Sequence, residues 1–366
     1  MTSVAVVGAG PAGRATAAYL AHHGTPVALW SPSGNSTRVL DQNAAQHGAA
    51  NGRGRLAYEG ALTGIADIGI VDRPQTLGDF DVVLIALPGH AYPAVLPRVV
   101  PHLHADQTVI VSGALSLVPL WIHERAGKPG ARPIVASWGT TLATARHAGA
   151  AVVCINTVRA KFEVAAIPGS ACDTALATCR ALFGDRFVPA ANILVTALLN
   201  VNPVAHAAEM LPNLTRIEKR ENWPLFDHLT PAAARIGEAI DVERQTIARG
   251  FGFEVRSIHE HTHLSYHVPL ASYAEMAVAI HAKYGGPPGP TSFEHRYFLE
   301  DVPYGLAFYE ALARMVSIPV PNLSAAITLF STACGRDFRR ENPLLAELDL
   351  DHLSPQALLA RCAGAA

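Results

Sequence analysis

The chain has 366 residues, half of them hydrophobic, and a formal net charge of −2. That length can bury the cores of two domains, and the charge excludes a general nucleic-acid binder, which needs a basic surplus to neutralise phosphates. No apolar run reaches the roughly 18 residues of a membrane helix, and the chain enters a strand at once, so a cytoplasmic protein with no membrane partner is expected.

Val4-Ala5-Val6-Val7 is a short β-branched apolar run, and Gly8-Ala9-Gly10-Pro11-Ala12-Gly13 follows directly. Arg14 to His23 reads as a helix, and Pro26 to Trp30 as a second strand. Strand, Gly-x-Gly-x-x-Gly turn, helix and strand form the dinucleotide fingerprint in its proper context. Gly8 allows the tight turn, Gly10 lets backbone approach the pyrophosphate, and Gly13 lets the helix pack closely. Pro11, Ala12 and the helix N-terminus around them face the phosphates with free N–H groups and a partial positive charge.

The residue ending the second strand selects the nicotinamide. A carboxylate there bonds the ribose 2′-OH of NAD and repels a 2′-phosphate. The position falls on Ser31, followed by Ser33 and Arg38. Hydroxyls and a nearby guanidinium suit the 2′-phosphate, so NADP is expected, with NAD as the alternative.

Asp81 to Pro88 reads as the next buried strand, ending in a Pro-Gly-His turn of the kind that crosses over a cofactor. Pro88 is assigned to cofactor binding, and His90 to the loop rather than to catalysis. Thr108–Ser112 and Pro133–Ser137 read as later parallel strands around a helix from Leu117 to Ala126. Alternating strands and helices over this span mean an α/β, doubly wound parallel sheet, the Rossmann arrangement. Ala151–Thr157 and Lys161–Ile167 look like an antiparallel addition, and Ser170–Phe183 like a closing helix. The five cysteines (Cys154, Cys172, Cys179, Cys334, Cys362) are scattered without a Cys-x-x-Cys pair, which fits a reducing compartment and no structural zinc.

Beyond about residue 190 helical periodicity takes over, at 193–210, 231–251, 272–282, 304–316, 322–334 and 355–362. The expected division is a dinucleotide-binding domain over residues 1–188 and an all-α domain over 189–366. Asn202 and His206 stand four residues apart, so they share a helix face. Pro203 between them either kinks the helix or marks its first turn. A Gly/Pro-rich run at 285–290 precedes a dense cluster from Phe293 to Leu306, in which Arg296 suits an anion anchor and Asp301 an orienting carboxylate. His259, His261, His263 and His267 crowd a short segment. As a strand, three of them could hold a metal; as a loop they would be solvated or line a substrate cleft. No metal is assigned.

On these motifs the chain resembles the NAD(P)-dependent opine dehydrogenase family. The matching stretches are Gly8–Gly13, Asn200–His206 with Glu209-Met210-Leu211-Pro212-Asn213, Arg296–Val302 with Gly305-Leu306, and Asp337-Phe338-Arg339. The resemblance implies a His–Asp catalytic dyad on His206 and Asp301, with Asn202 beside it. It also implies an Arg on the keto-acid carboxylate, matched by Arg296. A segment ending in Leu-x-x-x-Arg is matched by Leu142 to Arg146. The implied partners are an amino acid and an α-keto acid, joined through an imine that hydride from the nicotinamide reduces; a homodimer is possible. Two other readings remain: a ketopantoate-type reductase, which would use a Lys near an Asn, and a non-catalytic dinucleotide sensor.

Overall fold

A computed structural model describes residues 2–47 and 52–364. Two compact units emerge. One comprises Met1–Leu87, Ala91–Ala197 and Ala360–Ala366, and the other Pro88–His90 and Leu198–Leu359.

The first unit holds one sheet. Its strands are β1 (Val4–Val7), β2 (Val27–Trp30), β3 (Arg53–Gly60), β4 (Gly64–Val71), β5 (Val82–Ile85), β6 (Thr108–Val111), β7 (Ile134–Trp138), β8 (Ala143–Gly149), β9 (Val152–Val158), β10 (Phe162–Ile167) and β11 (Phe187–Pro189). They lie in the order β11-β10-β7-β6-β5-β1-β2-β4-β3-β9-β8. From β7 to β4 every neighbouring pair is parallel. β1, β2 and β5 are buried at every residue, as strands covered on both faces must be. Helices α1 (Pro11–His22), α2 (Asn35–Gln46), α3 (Tyr92–Val99), α4 (Val118–Arg125) and α5 (Cys172–Phe183) complete the unit. The strand order reverses between β1 and β5, the point at which open α/β sheets take ligands.

The parallel core matches the expected fold, while the flanks differ. Residues 151–157 and 161–167 do not pair with each other. β9 joins β3 and β8, and β10 joins β7 and β11. An alternating pattern marks a strand without naming its partner. β3 and β8 carry almost no β-branched residues, and Gly64 and Gly69 break up the β-branched run of β4, so none of the three stands out in sequence.

The second unit is helical: α6 (Ile193–Leu198) leads into it, followed by α7 (Asn202–Met210), α8 (Leu214–Glu218), α9 (Pro231–Gly250), α10 (Ile258–Tyr266), α11 (Tyr273–Tyr284), α12 (Arg296–Leu299), α13 (Ala307–Met315), α14 (Pro321–Cys334), α15 (Pro343–Glu347) and α16 (Pro355–Cys362). The helix expected over 193–210 is interrupted before Asn202, and Pro203 sits in the first turn of α7, where its missing N–H costs nothing. The helical stretch 193–218 is long and apolar enough to pass for a membrane span, but its most apolar window is 89% buried, as in a core helix. α9 runs along α7, α11, α13 and α14.

Between α12 and α13 the chain makes a π-turn, Val302–Leu306. Pro303 cannot donate the helical hydrogen bond, and buried Asn342 donates to the Pro303 carbonyl at 3.1 Å. Gly305 faces Pro203 so closely that a Cβ would stand 2.2 Å from the proline Cγ. Both contacting groups are rigid. Gly305→Ala is therefore expected to destabilise the protein by about 1–3 kcal/mol, read as a lower urea midpoint with unchanged slope.

Candidate active site

The turn after β1 is shaped for a phosphate. Gly8 has φ +113°, and a Cβ there would lie 2.3 Å from the Ala86 carbonyl oxygen. A Cβ on Gly13 would lie 1.8 Å from the Gly8 carbonyl oxygen. Neither site admits another residue. A Cβ on Gly10 meets nothing within 4 Å, so the backbone there borders open space. Gly10 caps α1 without a side-chain hydrogen bond, Pro11 follows, and the first turn carries no acidic residue. The amide end of α1, from Pro11 through Ala12 and Gly13, thus presents an uncovered positive dipole at the switch point of the sheet, as a dinucleotide pyrophosphate requires.

At the end of β2, Ser31 is buried, and its carbonyl accepts from Gly34 N at 3.0 Å. Ser33 is exposed, and its hydroxyl accepts from Asn35 N at 3.4 Å. Arg38 is exposed in the first turn of α2, and its guanidinium has no partner among the described residues. Sequence patterns do not point to Arg98 on α3. Its guanidinium stacks over the Trp30 ring at 5.3 Å and donates to the Pro32 carbonyl at 3.2 Å. No local pattern links Arg98 to β2, because only sheet order brings α3 there.

In the second unit, α7 and the segment ahead of the π-turn meet at His206 and Asp301. His206 Nδ1 lies 2.7 Å from Asp301 Oδ2. Asp301 is 1% exposed and His206 9%. An ionised carboxylate only accepts, so Nδ1 carries the proton and Nε2 is left for another partner. Tyr297 stacks on the imidazole, ring centroids 3.6 Å apart. Asn202 begins α7 half-buried; its amide N–H is held by Asn200 Oδ1 at 3.0 Å, and its side chain has no partner among the described residues. The carbonyl of Asn200 in turn accepts from the Tyr309 hydroxyl at 2.5 Å.

Arg296 opens α12. It is exposed and makes no hydrogen bond or ion pair through its guanidinium among the described residues. Burial of its surroundings opposes its charge, but Glu300 and Asp301 outweigh this and raise its pKa. It is a permanent cation without a fixed anionic partner. Its neighbour His295 caps α12, Nδ1 accepting from Tyr297 N at 3.4 Å. Burial, then the charges of Arg296 and His206, push the His295 imidazole down to about 4. A neutral ring is what the cap needs, since only an unprotonated nitrogen accepts.

Two further carboxyls sit here, neither of them singled out from the sequence. Glu300 is buried and accepts from Gly89 N at 3.2 Å. Burial pushes it up to about 7, against the pull of Arg296. Glu209 stands three residues after His206 on α7, and its Oε2 has no hydrogen-bond partner among the described residues. Burial and then the Asp301 charge push it up to about 8.

Of the remaining sequence-derived candidates, Arg146 belongs to the first unit and Pro88 to the second, and the His-rich segment differs in form. Arg146 is exposed on edge strand β8 of the first unit. Pro88 follows β5 and groups with Gly89 and His90 in the second unit. The His-rich segment is a helix, α10, not a strand or loop: Ser257 and Glu260 form a capping box that fixes its start. Helical spacing spreads the histidines, so His259 bonds Glu238 at 3.0 Å and His263 the Val268 carbonyl at 2.7 Å. Among the described residues no group of three or more His, Cys, Asp or Glu side chains could hold a metal.

Glu209 yields a pH prediction. Its folded pKa is raised, so the stability it contributes is full below the ordinary carboxylate range and is lost as pH rises toward about 8. The thermal midpoint of the wild type should fall between about pH 5 and about pH 8. Glu209→Gln should fall less steeply over the same window.

Residues 189–334 match the family described as NAD/NADP octopine/nopaline dehydrogenase, alpha-helical domain. Residues 3–114 match the NAD-dependent glycerol-3-phosphate dehydrogenase N-terminus. An opine dehydrogenase from Arthrobacter sp. (strain 1C) is 29% identical over 352 residues, 96% of each chain. The structure of octopine dehydrogenase in complex with NADH and agmatine superposes with a TM-score of 0.77 at 15% identity, over 100% of this chain and 98% of that one. A ketopantoate reductase from Ralstonia eutropha follows at a TM-score of 0.58 and 14% identity, over 91% of this chain and 98% of that one. Residues 189–334 thus match the helical domain of the octopine/nopaline dehydrogenases, and the chain is similar over nearly its whole length to NAD(P)-dependent opine dehydrogenases, oxidoreductases that act on CH–NH donors.

Proposed function

We propose that the protein condenses the amine of an amino acid with an α-keto acid and reduces the resulting imine to a secondary amine bearing two carboxylates. The observation that carries this reading is the His206–Asp301 pair at 2.7 Å, with Arg296, free of hydrogen bonds and ion pairs among the described residues, five positions before Asp301. Arg296 grips the keto-acid carboxylate through two parallel N–H···O bonds. The amine adds to the keto carbon to form a carbinolamine. His206 Nε2, having taken up a proton from the amino acid's ammonium as it becomes the free amine, returns it to the carbinolamine oxygen, water leaves, and the protonated imine remains. Asp301 fixes the imidazole tautomer, and Asn202 positions substrate or water with its free amide. The dinucleotide, held by Gly8, Gly10, Pro11, Ala12 and Gly13 and flanked by Pro88, supplies hydride when bound.

NADP is the proposed form. No carboxylate ends β2, Ser31 and Ser33 stand in its place, and Arg38 and Arg98 bring two guanidinium groups to the same strand end. The mostly buried helical stretch 193–218 and five free cysteines fit a protein working outside the membrane in a reducing compartment. A ketopantoate-type reduction would need a lysine by the Asn; Lys219 is exposed just past α8, beyond the His206 helix.

The test follows NADPH oxidation with pyruvate and a panel of amino acids, beside a control with keto acid alone. Oxidation that needs both substrates supports the condensation; oxidation with keto acid alone replaces it with simple reduction. Within this assay, His206→Asn and Asp301→Asn should each lower kcat by about 10²–10⁴-fold while far-ultraviolet circular dichroism stays unchanged. Ser31→Asp should move the kcat/KM preference toward NADH, since a carboxylate repels the 2′-phosphate and accepts from the 2′-OH.

A further inference from the structure

We propose that His90 is a second carboxylate-binding residue of this site, donating a hydrogen bond to the keto-acid carboxylate that Arg296 grips. This role rests on the condensation reading and extends it to a residue whose sequence context marks only a loop.

The backbone fixes where His90 sits. Gly89 N donates to Glu300 Oε2 at 3.2 Å. Glu300 N in turn donates to the Arg296 carbonyl at 2.8 Å, so Glu300 stands one helical turn above Arg296. The Pro88–His90 loop is thereby fastened to the turn that carries the guanidinium. A second contact fixes it from the other side: a Cβ on Gly89 would lie 2.8 Å from Tyr304 Cγ, and Tyr304 N bonds the Glu300 carbonyl at 2.9 Å. Two attachments at Gly89 leave the adjacent His90 little freedom to swing away from Arg296.

The chemistry of His90 fits an anion. Its side chain is exposed, and the imidazole has no hydrogen bond or ion pair among the described residues. Burial of its surroundings and then the Arg296 charge hold its pKa below the ordinary value, so the ring is neutral near pH 7. A neutral imidazole still donates one N–H. Of the other groups around Arg296, Asp301 is bonded to His206 Nδ1, Glu300 accepts from Gly89 N, and His295 Nδ1 accepts from Tyr297 N. A carboxylate offers about four lone-pair directions; the guanidinium fork takes two, and His90 can take a third.

The experiment measures KM for pyruvate at saturating amino acid and NADPH. His90→Ala should raise it about tenfold, with KM for the amino acid and for NADPH unchanged, and His90→Gln, which keeps an N–H donor, should recover part of the loss. Unchanged thermal midpoints show that both variants fold. A pyruvate KM within about twofold of wild type in His90→Ala, or a rise confined to the amino acid or NADPH, overturns the proposal. If the wild type oxidises NADPH with pyruvate alone, the condensation reading falls while the same pyruvate KM still decides on His90. If it turns over nothing, calorimetric titration of the protein–NADPH complex with pyruvate decides: weaker binding in His90→Ala supports the assignment, and equal binding overturns it.

Discussion

The contact between Pro203 and Gly305 sets the geometry of the second unit's site. His206 lies one turn beyond Pro203, and Asp301 lies one turn before Gly305. A proline ring seated where a Cβ would stand holds α7 and the π-turn in close contact. A hydrogen bond of 2.7 Å between two side chains of limited reach needs that constancy. The π-turn contributes the other half. It rotates the chain after Asp301, so that Arg296 and Asp301 serve the same region while Phe298 and Leu306 stay in the core. Asn342 satisfies a carbonyl at the irregular turn, so the deviation carries less of an unpaired-group penalty.

Charge in this region is concentrated. Asp301, Glu300 and Glu209 are all buried, and the Arg296 cation acts on Glu300 and Asp301. Three ionised carboxylates in such a volume would repel one another strongly. The protein relieves this by raising Glu209 and Glu300 and keeping Asp301 against His206. Burial, and then the guanidinium charge, lower the pKa of His295 and His90, so both rings stay neutral. The result is one dyad able to move a proton and one cation able to hold an anion, with neutral groups between them.

Away from these residues the helical unit is stabilised by pairs that do no chemistry. Arg339 forks Glu310 at 2.6 and 2.9 Å, tying the Asp337-Phe338-Arg339 stretch to α13. Glu243 on α9 accepts from the first amides of α14 at 2.9 and 2.8 Å, acting as a cap from outside the helix. Phe338 is fully buried. The family resemblance of that C-terminal stretch therefore has a packing basis.

The sequence by itself determined the elements whose signals are local. Gly8–Gly13 between two apolar runs specified the dinucleotide turn, because glycine spacing, strand and helix all lie within one short βαβ unit. Asn202 and His206 shared a face because helical spacing alone dictates it, and the Arg296–Asp301 block stood out by its density of charge among aromatics. Tertiary structure alone decided the pairings between distant segments. It placed β9 and β10 on separate partners, brought Arg98 over Trp30, set Glu209 near Asp301, and tied Gly89 to Glu300. Those outcomes depend on sheet order and on burial, which are properties of the packed molecule; no short window of sequence contains them.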